Sequence, residues 1–328
     1  MSNNIEVSNW ITDYRARQIA GIQFRRFQGE ADYQNMLEII LGCAKTDGLE
    51  RAETLEDIVN TYTHLHHSDP ATDMLFVEID GIAVGYSRTW WEVEGSGQWV
   101  GFQVGNVLPE WRRRGIGSSL LNFNEERLHH IARQLKDNGE LPSNAPCVLD
   151  NFVSSTEVDR INLLERRGYK PVRYAFEMVR PDLENIPDLP LPEGVEVRPV
   201  IPEHMRLIWE ASNEAFRDHW GYIPDPWEAY QQMISDPDHD PRLWRVAWQG
   251  DQIAGMVLSF INKDENSKFG RRRGYTENIC VRRSWRHQGL AKALIARSLQ
   301  ALKERGMTEA GLGVDAENIS GALSLYQF

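Results

Sequence analysis

Two periods of apolar residues, one of a strand and one of a helix, alternate along this chain, and the same series runs through twice. A strand pattern near 22–27 leads into helical patterns at 31–44 and 54–65. Strands follow near 73–79, 82–92 and 98–108, then a long helix over about 115–136, a strand at 146–152, a helix at 156–167 and a strand at 169–179. The order then restarts. It predicts a strand at 195–200, helices at 203–216 and 225–235, and strands at 243–249, 253–262 and 274–283. A helix at 289–305, a strand at 309–315 and a final helix from about Ile319 complete it. In both halves two strands meet at a glycine-containing turn, in "VEIDGIAVGYSRTW" and "VAWQGDQIAGMVLSF".

The repeat extends to single residues. "VLPEWRRRGIGSSLL" (107–121) and "VRRSWRHQGLAKALI" (281–295) align Val107 with Val281, Trp111 with Trp285, Arg112 with Arg286, Gly115 with Gly289 and Leu120 with Leu294 at one constant offset. A repeat this long is not a solenoid, whose periods run about 20 to 50 residues. It predicts an α+β fold built twice, as domains 1–183 and 184–328. The join falls in "RPDLENIPDLPLPEG" (180–194), where four prolines stop both helix and sheet.

Composition narrows the function classes. The chain has 328 residues, 41% hydrophobic and 26% charged, as in an ordinary soluble protein. No apolar run is long enough to cross a bilayer, and the polar start does not resemble a signal peptide. Cys43, Cys147 and Cys280 are far apart and form no CxxC, so neither a disulfide framework nor a zinc site is expected, and a reducing cytoplasm fits. A net charge of -12 argues against nucleic acid or an anionic membrane as partner and leaves room for a cationic substrate.

A strand that passes through "RRRGIG" straight into a helix places main-chain N–H groups at a helix N-terminus, where no intrahelical acceptor meets them. The helix dipole favours an anion there, and glycine lets a ligand approach the backbone closely. Arg112, Arg113 and Arg114 add positive charge, so the turn suits a pyrophosphate. A dinucleotide fingerprint would need glycine at Leu120 and Leu294, and a P-loop would need GK[ST]; neither half has either. The plain alternative, a turn with no ligand, is weakened by the second copy in register.

The motif [Q/R]xxGx[G/A] between a strand and a long helix resembles the acetyl-CoA signature of the GNAT acetyltransferase superfamily. It stands here as Arg112-Arg113-Arg114-Gly115-Ile116-Gly117 and as Arg286-His287-Gln288-Gly289-Leu290-Ala291. The element order and the segment "VDAENISGALSLY" (314–326) resemble that superfamily too, in its tandem two-domain form. The resemblance implies, for each half, a mixed, mostly antiparallel central sheet flanked by helices. It also implies acetyl-CoA as co-substrate. The pyrophosphate would lie on the amides of the two turns, Asn318 near the cofactor, and the pantetheine arm beside Val281 and Arg283, or beside Val107 and Pro109 in the first half.

The resemblance further implies a glutamate on the strand before the turn as base and a late tyrosine as acid. Glu277 and Tyr326 fit those places. In the first half Gln103 and Leu164 stand there instead, so that half is expected to be catalytically degenerate. Plainer readings stay open: Glu277 as an exposed strand residue, Tyr326 as packing and Asn318 as a helix N-cap. Trp111 and Trp285 are read as packing residues. On the acceptor side, "EAFRDHWGYIPDPWEAY" (214–230) interleaves aromatic residues with acids, which suits an ammonium group. Asp218, His219, Trp220 and Tyr222 are the substrate candidates; core aromatics with solvated acids are the alternative. Arg271, Arg272 and Arg273 are read as a loop, either solvated or facing the 3′-phosphate of coenzyme A. His64, His66 and His67 in "HLHHSD" meet no visible carboxylate or cysteine partner, so no metal is expected.

The expected function is N-acetyl transfer to a small amine, by a monomer or homodimer. An acyl-CoA-binding sensor and a protein or peptide N-acetyltransferase are the rivals. One departure stands out: the sequence ends two residues after Tyr326, before the last strand that a GNAT domain carries, so another element is expected to fill that place or the segment lies outside this sequence.

Overall fold

In the first half the strand-period runs pair into one five-stranded sheet. Its strands are β1 (Ile22–Arg25), β2 (Met74–Ile79), β3 (Ile82–Val93), β4 (Trp99–Val107) and β5 (Cys147–Asp150), lying side by side in chain order. Neighbours are antiparallel except β4 and β5, which run parallel. The computed structural model describes residue 16, residues 18–236 and residues 238–317. It divides the chain into two units, Met1–Lys170 and Pro171–Phe328.

Helices α1 (Ala31–Asp47), α2 (Leu55–Thr63), α3 (Pro70–Asp73), α4 (Ile116–Asp137) and α5 (Val158–Arg166) belong to the first unit. Local chemistry sets their ends. At α2, Thr54 accepts the Asp57 N–H at 3.2 Å and the Asp57 carboxylate accepts the Thr54 N–H at 2.8 Å, a closed capping box. The α4 apolar stripe buries Ile116, Leu120, Phe123 and Leu128 against the sheet.

The second unit repeats the plan. It contains β6 (Ala175–Arg180), β7 (Glu196–Arg198), α6 (Met205–Phe216), α7 (Trp227–Ser235), β8 (Arg245–Gln249), β9 (Gln252–Phe260), α8 (Lys263–Phe269), β10 (Arg273–Val281), α9 (Leu290–Glu304) and β11 (Glu309–Asp315). The sheet order is β6-β11-β10-β9-β8-β7, antiparallel except for β10 with β11. Leu290, Leu294 and Leu302 of α9 are buried in one core with Val246, Met256 and Val257 of the sheet. Each such side chain contributes about 1.5–3 kcal/mol relative to exposure.

Strand β6 is where pattern and structure part. The segment reads in sequence as the closing strand of the first half. Instead it pairs with β11, from Ala175 opposite Asp315 to Arg180 opposite Ala310, so the sixth place of the second sheet is filled from before the proline linker. Arg173 fixes the start of this pairing by gripping the Asp315 carboxylate at 2.7 and 2.8 Å. The units therefore divide at Lys170 and Pro171, earlier than the proline segment suggests. Helix α8 was also not legible, because "KDENSKF" carries no apolar period. It is held by its ends, with Asn262 accepting the Glu265 N–H at 2.7 Å and Gly270 closing it at φ 63°.

Candidate active site

The two turns adopt one conformation. In the first, Arg113 has φ 62° and Gly115 φ 90° before α4; in the second, His287 has φ 62° and Gly289 φ 83° before α9. A left-handed residue that is not glycine is uncommon and costs strain, so its appearance at matching places in both units is a structural signature. Successive amides in such a turn form an anion-binding nest. The first hydrogen bond of α9 runs from Ala293 to Gly289, and that of α4 from Ser119 to Gly115, at 3.1 and 3.0 Å. The N–H groups of Leu290 and Ala291, and of Ile116 and Gly117, precede those bonds and lie at the positive end of a helix dipole. A Cβ built on Gly289 meets nothing within 4 Å, so a ligand has room to approach. These residues fit a diphosphate.

The leading arginine of each motif turns inward. Arg112 donates to the Val107 carbonyl at 2.9 Å and grips Asp47, at the end of α1, with two bonds of 2.5 and 2.8 Å. Arg286 donates to the Val281 carbonyl at 2.9 Å, to Ala215 at 3.0 Å and to Asp218 at 2.7 Å. Arg283 closes on the same Asp218, through Nε at 2.9 Å and through a second bond from Nη2. The Asp218 carboxyl, bonded by Arg283 and then Arg286, is held far below the usual carboxylate range. Asp218 thus braces the turn; its charge is already answered, so it does not offer an uncompensated anion to an ammonium ligand. Arg113 is exposed and pairs with Asp159 at 3.2 Å, Arg114 lies over the Trp111 ring at 4.9 Å, and Gln288 bonds the Ser284 carbonyl. Trp285 is buried and donates to Gln249 at 2.8 Å, as a packing residue would.

The sheet opens beside the second turn. β10 and β11 pair only from Arg273 to Tyr275 opposite Glu309 to Gly311. On its other side the register of β10 with β9 shifts between Glu277 and Cys280, and Asn278 has φ 47°. Glu277 therefore stands on a bulged strand where its parallel neighbour has ceased to pair. Its carboxyl is half-buried, and burial pushes it above the usual range although the Gly313 N–H donates to it at 3.4 Å. In the first unit β4 runs without a register shift against β3, and the matching Gln103 is buried with its amide donating to the Tyr169 hydroxyl at 2.5 Å. Tyr326 and Asn318 lie outside the described residues.

The acceptor-side aromatics divide into two groups. Phe216 and Tyr230 pack on the core, and Trp227 stacks on Tyr230 at 4.6 Å with Arg206 over its ring. Trp220 is 51% exposed, but the Arg173 guanidinium stands 5.2 Å from its ring centroid. Tyr222 bonds Asn213 at 3.4 Å. His219 stacks edge-on against Phe216; burial, with Arg286 nearby, lowers its tendency to protonate. Arg271 pairs with Glu265 and Arg273 with Glu309, so two of the three arginines of that run are bound to carboxylates. The bracing acids Asp47 and Asp218 carried a sequence signal: an aspartate stands at the end of the first helix of one half and just beyond that of the other.

Residues 203–328 match the acetyltransferase (GNAT) family. Over 303 residues the chain is 29% identical to a mycothiol acetyltransferase of Geodermatophilus obscurus, covering 87% of this chain and 89% of that protein. It is similar to the crystal structure of a GCN5-related N-acetyltransferase from Sphaerobacter thermophilus, with TM-score 0.65, 27% identity and coverage of 93% and 90%. A tandem GNAT protein from the clavulanic acid biosynthesis pathway shares the fold, at TM-score 0.56, 15% identity and coverage of 93% and 94%.

Proposed function

From the premise that this chain belongs to the GNAT acetyltransferase family, we propose that its second unit moves an acetyl group from acetyl-CoA to the amine of a small molecule. The observation that carries this reading is Glu277: a half-buried, elevated carboxyl on a bulged strand, where the sheet opens next to the amide nest. Acetyl-CoA, the family's co-substrate, supplies a thioester that a neutral amine can attack. The amides from Gly289 to Ala291 hold its diphosphate. Glu277, directly or through one water, takes the proton that the amine must lose. Its raised affinity for protons brings it nearer the working pH, which favours a base. Tyr326 is the proposed acid for the departing thiolate on its place in the sequence alone.

The first unit keeps the nest and lacks the base, since Gln103 cannot accept a proton and its amide is tied to Tyr169. Its proposed role is to bind acetyl-CoA without turnover, or to serve as scaffold. The similarity to mycothiol acetyltransferases makes a mycothiol-type amine the first acceptor to try. Thiol release from acetyl-CoA, followed with that amine, a pool of small amines and a set of peptides, tests the proposal. Release that depends on a small amine supports it. Tight coenzyme A binding with no release for any acceptor would favour an acyl-CoA sensor, and release with peptides alone would favour a protein acetyltransferase.

A further inference from the structure

The fold supplies what the run "HLHHSD" lacks in sequence. Glu92, near the end of β3, comes between the two adjacent histidines of the loop after α2. His66 Nδ1 lies 3.1 Å from Glu92 Oε1, and His67 Nδ1 lies 3.3 Å from Glu92 Oε2. One donor atom from each of the three residues lies within 4.8 Å of the others. Zinc–nitrogen and zinc–carboxylate distances are about 2.0–2.2 Å, so neighbouring ligand atoms around one ion stand about 3.0–3.5 Å apart in octahedral or tetrahedral geometry. Both observed separations fall in that interval.

The cluster is also held in place before any ligand arrives. His67 has φ 45°, a strained conformation for a histidine, and its ring stacks on Trp91 at 3.6 Å and 6°. Its Nδ1 also bonds the Trp91 carbonyl at 3.0 Å. Ser68 donates to the Thr89 carbonyl at 2.7 Å, and His64 bonds Asn60 at 2.9 Å. The loop is thus pinned to β3 by Ser68 and by the stacked His67 ring, and to α2 by His64, which lowers the ordering cost of binding. Side-chain exposures of 29%, 32% and 15% leave the donors reachable from solvent.

The geometry points to a divalent transition-metal site in the first unit, formed by His66, His67 and Glu92, separate from both glycine turns. Two imidazoles and one carboxylate select ions of the Zn²⁺ class over Mg²⁺ or Ca²⁺, which prefer oxygen ligands throughout. Three protein ligands leave a position for water, so the ion would exchange. Each imidazole binds through a nitrogen without a proton, so the ring proton that His67 shares with the Trp91 carbonyl moves from Nδ1 to Nε2 when the ion enters.

The test is calorimetric titration of Zn²⁺ into the tag-free, chelator-treated full chain, beside His67→Ala and Glu92→Gln. The expected result is saturable uptake of one ion, weakened about tenfold or more in each variant, while coenzyme A binding is unchanged. The Co²⁺ absorption spectrum of the unmodified chain gives a second readout that does not depend on a variant folding. A spectrum with bands of a site holding imidazole, reversed by Zn²⁺, is expected. No saturable uptake by the unmodified chain, or uptake by both variants as tight as by the unmodified chain, overturns the site.

Discussion

At Gly289 and Gly115 the backbone sits in the left-handed region, where a side chain costs about 1–2 kcal/mol. The cost at Gly289 falls on the amide nest rather than on packing, because the added Cβ meets no neighbour. Gly289→Ala should therefore lower the stability of the second unit by up to about 1–2 kcal/mol, and to the extent that the turn relaxes to relieve this it should weaken coenzyme A binding by up to about 5- to 30-fold, as read by calorimetry. If the first unit also binds, Gly115→Ala removes a second binding event; if it is scaffold, that variant leaves the isotherm as it was. The bracing pair Asp47–Arg112 lies almost wholly out of solvent, so Asp47→Asn strands a guanidinium. A loss of about 1–3 kcal/mol is expected, read from urea melts. Asp32 gives a pH signature. Burial raises its pKa, but the bonds from Arg25, the Gln28 amide and Asn35 together outweigh burial and leave the carboxyl below its usual value. Its contribution to stability is thus present above about pH 4 and lost as pH falls through the lower folded value. Asp32→Asn should flatten the acid limb of the stability curve of the first unit.

At the scale of elements, what could be read in sequence was what one segment decides alone. The repeat, the strands around each glycine turn and the helices α4 and α9 follow from period and punctuation. The partner of β6 did not, because "AFEMVR" suits either sheet edge and only pairing with β11, set by Arg173 and Asp315, decides between them. For the proposed site, the turn residues and Glu277 were named from the resemblance. The inward aim of Arg112 and Arg286 was not legible, since aspartates far away in sequence direct it. For the same reason Asp218 was read as a substrate contact, and the histidine run showed no carboxylate until folding placed Glu92 beside it. The role given to β6 has a direct consequence. The chain from residue 171 onward should give a cooperative thermal melt by circular dichroism. The chain from residue 184 onward, without β6, exposes the edge of β11 and should aggregate or melt without cooperativity. Equal cooperativity of the two would remove β6 from the account.

For the whole molecule, one fold is used twice, with a glycine turn of the same conformation in each unit, and the proposed base, Glu277, stands in the second alone. Among the described residues no helix is long and apolar enough to cross a membrane. The fold holds Glu277 above its usual pKa, so stability falls as pH rises through that value, and Glu277→Gln should leave the thermal transition unchanged or slightly higher at neutral pH. Loss of activity in this variant can then be assigned to chemistry. The deciding measurement is kcat as a function of pH for the unmodified chain and Glu277→Gln, at saturating acetyl-CoA with the best amine found. The account predicts a fall of about 10²–10⁴-fold, and loss in the variant of an acid limb whose midpoint lies above the ordinary carboxylate range. Equal kcat, or an acid limb that survives the substitution, would contradict it.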